Sequence, residues 1–168
     1  HWDLVQLALA LREVAPAEAL TRVLETFPDR FQRALRDALF ERLGIVPGDF
    51  EEDMKLVIAI EEELTKRPVQ IERFFFDWRG GALRRPSSLY DGEGFSEVRS
   101  LVAGYAATPG ALDHDYWSDE APCSMHIDEV EALWSAIAAA DDWSPLHAKV
   151  AAVRRMGEAM CAGDAGSR

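Results

Sequence analysis

Apolar residues recur every three or four positions along most of the chain, which is the spacing of one face of an α-helix. Pro, Gly and capping residues separate these segments. The pattern predicts helices over 2–14, 16–27, 29–43, 50–66, 70–78, 95–106, 125–140 and from 145 onward. No segment alternates like a strand. We therefore predict an all-α fold, a single domain of about seven or eight helices over 1–162, with two long irregular loops and a frayed tail over 163–168.

Several residues predict where these helices begin and end. Pro28 should break the second helix, because proline lacks the N–H that a helix interior uses. Asp49 should cap the helix that follows it, with Glu52 as the capping-box partner three residues on. Ser124 and Ser144 are expected to cap the last two helices, the second with proline in its first turn.

The segment 74–78, with four large aromatics in five positions, predicts the centre of the core. In a helix, Phe74 and Trp78 share one face, while Phe75 lies on an adjoining face. Each buried ring removes roughly 150–250 Å² from water, so the rings need neighbours on more than one side. Gly80 and Gly81 are expected to end this helix in the left-handed conformation.

Composition narrows the class of partner. The chain of 168 residues carries 18 basic and 30 acidic side chains, a net charge of −12. Nucleic acids and anionic membranes need a basic face, so we expect neither as the main partner.

Cys123 and Cys161 are too few for a disulfide scaffold and are expected to be reduced thiols of a cytoplasmic protein. No apolar run approaches the ~20 residues that span a bilayer, and no signal peptide is expected.

The first predicted helix is apolar on more sides than a single buried face requires. A helix of this kind normally packs against other elements on most of its sides. We therefore expect part of it to be exposed in the isolated chain, with a homodimer through this helix as one way of covering it. The start at His1, already inside a helical pattern and without Met, favours a fragment of a longer protein. The apolar residues concerned are Trp2, Leu4, Val5, Leu7, Leu9 and Leu11.

Residue types capable of chemistry occur mainly in the second half of the chain. His126 and Glu129 have a spacing that could share a metal, but a solvated helix face explains them as well. The tripeptide 113–115, Asp-His-Asp, could supply hard ligands or lie solvated in a loop. Cys123 near a helix N-terminus could be a reactive thiol or an inert small residue.

Other charged groups have equally ordinary explanations. Arg84 and Arg85 could grip a phosphate, or form a solvated loop pair. Acids at the start of the helix near residue 127 suit its dipole without any acid–base role; these are Asp128, Glu129 and Glu131. No glycine-rich loop of the kind that cradles phosphate is present. We therefore assign no catalytic, cofactor-binding or metal-binding residue from the sequence.

Several stretches, in order, resemble the C-terminal part of the selenoprotein O family, in a form similar to its alphaproteobacterial members. They are Trp2–Ala8, Phe31 with Leu35 and Leu43-Gly44, Phe74–Trp78, Tyr116-Trp117-Ser118 and Ile127–Ala132. The first stretch usually reads Trp-Asn-Leu, and Asp3 replaces the Asn here. Some members carry a selenocysteine or cysteine near the C-terminus, but the surroundings of Cys161 do not match.

The resemblance implies an atypical kinase that transfers AMP from ATP to protein hydroxyls with a divalent metal such as Mg²⁺. The family's nucleotide and metal residues lie upstream of the Trp-Asn-Leu stretch, so none maps onto this chain. We therefore expect a non-catalytic helical region whose partners are the N-terminal kinase-like half and, in the complete protein, protein substrates. The alternatives are an independent helical protein-interaction module and a hydrolase with a metal site around His114 and His126.

Overall fold

The computed structural model describes residues 1–162. They form seven α-helices and two short 3₁₀ helices, with no β-sheet, and this confirms the all-α prediction. The tail predicted over 163–168 lies outside the described residues. The α-helices are α1 (Trp2–Leu11), α2 (Ala17–Leu43), α3 (Phe50–Lys66), α4 (Ile71–Asp77), α5 (Glu93–Val102), α6 (Ile127–Ala140) and α7 (Ser144–Cys161). The 3₁₀ helices, Ser88–Tyr90 and Asp115–Ser118, interrupt the two long loops.

The chain divides into two compact units, His1–Leu39 and a larger one from Phe40 onward. The prediction of one domain over 1–162 stays a prediction. The N-terminal unit, residues 1–39, holds α1 and most of α2 and contains no buried residue. Trp2 is 72% exposed and Leu7 54% exposed. The expected exposure of part of the first helix is therefore confirmed.

The predicted break at Pro28 is wrong, because α2 runs without interruption from Ala17 to Leu43 with the proline inside it. An interior proline costs roughly 3 kcal/mol, since it removes one backbone hydrogen bond and crowds the preceding turn. Phe27 and Phe31 flank this position one turn apart, with ring centroids separated by 5.7 Å. Contact between these rings across the proline favours the continuous helix.

At the N-terminus of α3 the predicted cap Asp49 is confirmed, but the predicted capping-box partner Glu52 is wrong. Oδ1 of Asp49 accepts hydrogen bonds from the N–H groups of Glu51 and Glu52, at 3.0 and 3.3 Å. The Glu52 side chain turns outward to Lys55, at 2.7 Å, instead of completing a capping box. Buried Asp53 holds the preceding loop, because both its carboxylate oxygens accept from the N–H of Gly48 at 3.1 Å.

The ends of the later helices differ from the prediction. Helix α6 has His126 rather than Ser124 at its N-cap. At α7 the predicted cap residue Ser144 is the first residue of the helix, and Oδ1 of Asp142 accepts from its N–H at 3.0 Å. Helix α5 covers 93–102 instead of 95–106 because the chain turns at Gly104. At α7 the carboxylate of Asp142 takes the place of the expected serine, whereas the hydroxyl of Ser124 donates to Glu129 instead of capping α6.

The aromatic segment forms the centre of the larger unit, as predicted. Phe74 and Trp78 are fully buried and stacked, with ring centroids 5.8 Å apart. Tyr90 and Phe95 pack edge to face beside them, at 5.1 Å. Gly80 and Gly81 have φ values of +86° and +80°, which confirms the predicted left-handed stop after α4.

Buried Arg79 joins the end of α2 to the loop near residue 111. Its Nη1 donates to the carbonyls of Glu41 and Arg42, at 2.5 and 3.1 Å, and its Nε donates to that of Ala111 at 3.2 Å. The last carbonyls of a helix have no partner inside it. Arg79 supplies those partners from a distant part of the chain.

Candidate functional site

A pocket of about 430 Å³ opens beside α4 in the larger unit. Phe75 and Phe76 of α4 line it. Tyr116 and Trp117 come from the second 3₁₀ helix, and Met156 from α7. The remaining lining residues are Arg42, Glu72, Pro122, Cys123, Ser124, Met125, Val153 and Met160.

The wall of the pocket is an aromatic and sulfur-rich cluster. The rings of Phe76 and Tyr116 meet edge to face at 5.4 Å, and the Trp117 centroid lies 5.9 Å from that of Phe76. Cys123 and Met156 pack against this cluster. Such a surface favours apolar or aromatic groups, and methionine side chains adapt to irregular shapes.

Cys123, one of the sequence candidates, is a half-buried free thiol that lines the pocket. Its backbone N–H donates to the hydroxyl oxygen of Tyr116 at 3.0 Å. Burial raises the pKa of the Tyr116 phenol, so this hydroxyl is neutral near pH 7. Cys123 lies three residues before the N-cap of α6, so it does not occupy the helix N-terminal position that the sequence suggested.

Charged side chains at the edge of the pocket are mostly paired. Nε2 of His126 lies 2.8 Å from Oε1 of Glu72, an ion-pair distance without the direction of a hydrogen bond. Lys149 donates to Glu129 and, at 3.0 Å, to the carbonyl of Ser124. The hydrogen bond from Lys149 lowers the pKa of the Glu129 carboxyl and raises that of the lysine.

The two metal-site candidates do not form ligand sets. His126 and Glu129 face different partners, Glu72 and Lys149, so they do not converge. Nδ1 of His114 accepts from the N–H of Tyr116 at 3.0 Å, which caps the second 3₁₀ helix. Within 1–162, no three His, Cys, Asp or Glu side chains are grouped so as to hold a metal ion.

The arginine pair at 84–85 binds backbone carbonyls. Arg84 donates to the carbonyls of Phe76 and Trp117, and its guanidinium lies 4.4 Å from the centroid of the Phe76 ring. Burial lowers the pKa of Arg84. Arg85 donates to the carbonyl of Ser118 at 2.5 Å. Both arginines hold the first long loop against the second. These hydrogen bonds explain the positions of the two side chains without a bound phosphate.

A buried polar network that joins α4 to Tyr90 was missed by the sequence analysis. Oδ2 of Asp77 accepts from Nε of Arg73 at 2.7 Å and from the hydroxyl of Tyr90 at 2.8 Å. Burial, together with this bond to a carboxylate, raises the pKa of the Tyr90 phenol. The only signal in the sequence is that Asp77 and Arg73 stand one turn apart among buried aromatics.

The pocket beside α4 is apolar and has few polar groups. The candidate residues described above do not bring together a nucleophile, a base and oxyanion donors. None of the described helices is long and apolar enough to span a membrane.

Comparison with known proteins places the chain in a family. No curated protein and no solved structure matches it significantly. The family described as protein adenylyltransferase SelO matches residues 1–85, just over half of the 168 residues. The stretches at 116–118 and 127–132 lie outside that match, so their resemblance stays a prediction. The chain belongs to the SelO family of protein adenylyltransferases.

Proposed function

We propose that this chain is a non-catalytic helical region of a SelO-type protein adenylyltransferase that packs, through its N-terminal unit, against a kinase-like catalytic part. In this proposal the catalytic part binds ATP and Mg²⁺ and transfers AMP to hydroxyl groups of cytoplasmic protein substrates. ATP and Mg²⁺ would have no site in the 168 residues.

The observation that carries the proposal is the apolar surface of the N-terminal unit. No residue of 1–39 is buried, although α1 and α2 present many large apolar side chains. A groove of about 170 Å³ remains between them, lined by residues that include Leu4, Leu7, Leu20 and Leu24. Exposed apolar patches of this kind mark interaction surfaces.

Family membership supports the choice of partner in this proposal. The family match includes all of the N-terminal unit. A partner from the same adenylyltransferase is therefore favoured over an unrelated protein. Burial of apolar area at about 25 cal/mol per Å² would be the main source of affinity.

The buried carboxylates favour a non-catalytic role. AMP transfer from ATP needs carboxylates that hold a metal and a cradle for the phosphates. Asp77 binds Arg73 and Tyr90, and Asp53 binds the N–H of Gly48. Glu63 pairs with Arg67 at 3.1 Å. Each of these groups is engaged in holding the fold.

Calorimetry with ATP and Mg²⁺ tests the non-catalytic part of the proposal. We expect no micromolar binding by the chain alone and no AMP incorporation into the chain or an added protein mixture. Micromolar binding that is abolished by substitutions within the 168 residues would contradict the proposal.

The packing surface is tested with the kinase-like part of a complete family member, produced as a separate polypeptide. Leu7→Asp places a charge on the apolar surface, whereas Gln6→Asp places it at an exposed polar position of the same helix. We expect the first substitution to weaken binding at least tenfold and the second to leave it nearly unchanged. Equal effects would remove the surface from the interface.

The alternatives are distinguished by the same samples. A dimer of the chain that dissociates in Leu7→Asp would assign the surface to a second copy of α1, the homodimer predicted from the sequence. Failure of the wild-type chain to bind the catalytic part would favour the independent interaction module.

A further inference from the structure

We propose that the pocket beside α4 binds a small anionic amphiphile: a carboxylate with an unbranched apolar tail of medium length. This site is separate from the N-terminal unit, because all of its lining residues lie in the larger unit.

The shape and lining of the pocket suit a small apolar body. Its volume of about 430 Å³ falls within the roughly 300–1,000 Å³ of ligand pockets. Its lining combines aromatic rings with aliphatic side chains. The aliphatic ones include three flexible methionines, Met125, Met156 and Met160, and also Val153. Unbranched tails fit such a lining well, since methionines can adjust to them.

Polar groups of the lining supply donors. Nε1 of Trp117 is buried and has no hydrogen-bond partner among residues 1–162. The hydroxyl of Tyr116 accepts the N–H of Cys123, and no described residue accepts its proton. Indole N–H is a donor only, and a buried donor without a partner is costly. Both residues line the pocket, so a ligand with an acceptor oxygen could give an unpartnered donor its partner.

The lining of the pocket contains one arginine, Arg42, and one acidic residue, Glu72. The guanidinium of Arg42 lies 4.2 Å from the centroid of the Phe75 ring and forms no ion pair with a described carboxylate. Oε1 of Glu72 lies 2.8 Å from Nε2 of His126. An arginine fork binds a carboxylate by two parallel hydrogen bonds. These features together favour an anionic head over a cationic or neutral one.

The proposal is tested by calorimetric titration of the full chain with octanoate, decanoate and dodecanoate below their micellar concentrations. Decylamine and decanol serve as the matched cationic and neutral probes. We expect one saturable site, with Kd falling about fourfold for each added methylene, the change that corresponds to about 0.8 kcal/mol. Decylamine should bind at least tenfold more weakly than decanoate.

Two pairs of variants locate the site. Arg42→Gln should weaken decanoate at least tenfold and reduce its preference over decanol, whereas Arg22→Gln, in the other unit, should not. Val153→Trp should fill the pocket and abolish binding. Val150→Trp is its control, because Val150 is also 38% exposed on α7 but does not line the pocket. Melting curves show whether each variant is folded.

Several results would overturn the proposal. They are the absence of saturable binding, equal binding of decylamine and decanoate, and equal losses in the two valine variants. Preference for a peptide with an apolar C-terminal residue over decanoate would reassign the pocket to a protein partner.

Discussion

Replacement of Arg79 by methionine tests whether a single buried guanidinium holds the larger unit together. The side chain is 4% exposed and donates to three carbonyls, those of Glu41, Arg42 and Ala111. Its guanidinium also lies 4.9 Å from the centroid of the Trp117 ring. Methionine keeps much of the apolar length but donates no hydrogen bond, so the substitution isolates the polar contribution.

The expected loss follows from these contacts. A buried acceptor left without a partner costs about 1–3 kcal/mol. Glu41 and Arg42 are exposed residues, so water can replace part of the hydrogen bonding that their carbonyls lose. The Ala111 carbonyl belongs to a buried residue. With about 0.5–1 kcal/mol for the lost cation–π contact, we expect a destabilisation of about 3–4 kcal/mol.

Urea unfolding followed by tryptophan fluorescence measures this loss. Four of the five tryptophans lie in the larger unit, so the signal reports mainly on that unit. Arg99→Met is the matched control, because Arg99 is exposed and its guanidinium lies 5.9 Å from the Trp78 ring. The control should change the free energy of unfolding by less than about 0.5 kcal/mol. A loss below about 1 kcal/mol for Arg79→Met would refute the reasoning.

Two further predictions concern pH and backbone conformation. Lys149 holds the pKa of Glu129 below its ordinary 4.5, so the unfolded chain binds more protons in acid. The stabilisation of the fold by ionised Glu129 is present above about pH 4.5 and is lost as the pH falls through the lower pKa of the folded state. Glu129→Gln should therefore make Tm depend less on pH in this acid range. Gly44→Ala should cost about 1–3 kcal/mol, because φ is +63° and the new Cβ would lie 2.8 Å from Nε of Arg79. Gly157→Ala, in open space within α7, should instead stabilise by up to about 1 kcal/mol in urea unfolding, and the same sign for both would contradict this account.

Local signals predicted the helical framework. The apolar period gave the class of fold, and Asp49 caps α3 as its residue type suggests. The glycines after α4 have the left-handed conformation that a helix stop requires. Aromatic residues at 74–78 predicted the core because so much apolar area in one helix must be buried. These features depend on residues within a few positions of one another, so the sequence determines them directly.

Contacts between distant residues decided the remainder. Pro28 lies inside a continuous helix, with the rings of Phe27 and Phe31 5.7 Å apart across it, whereas a proline rule considers only the lost hydrogen bond. The apolar residues of α6 include Ile127 and Trp134, yet these are 73% and 65% exposed. An apolar stripe indicates which side of a helix can be buried, but only the neighbouring elements determine whether it is.

The candidate site likewise depends on tertiary structure. Cys123 could be noted in the sequence, but its position beside Tyr116 and Met156 joins three separate parts of the chain. His126 and Glu129 share a helix spacing, yet Glu72 and Lys149 bind them separately. Sequence by itself determined the helices, the aromatic core and the family, because these follow from local spacing and residue type. Only the tertiary structure decided the pocket and its unpaired donors, because the partner of a polar side chain depends on which distant elements pack beside it.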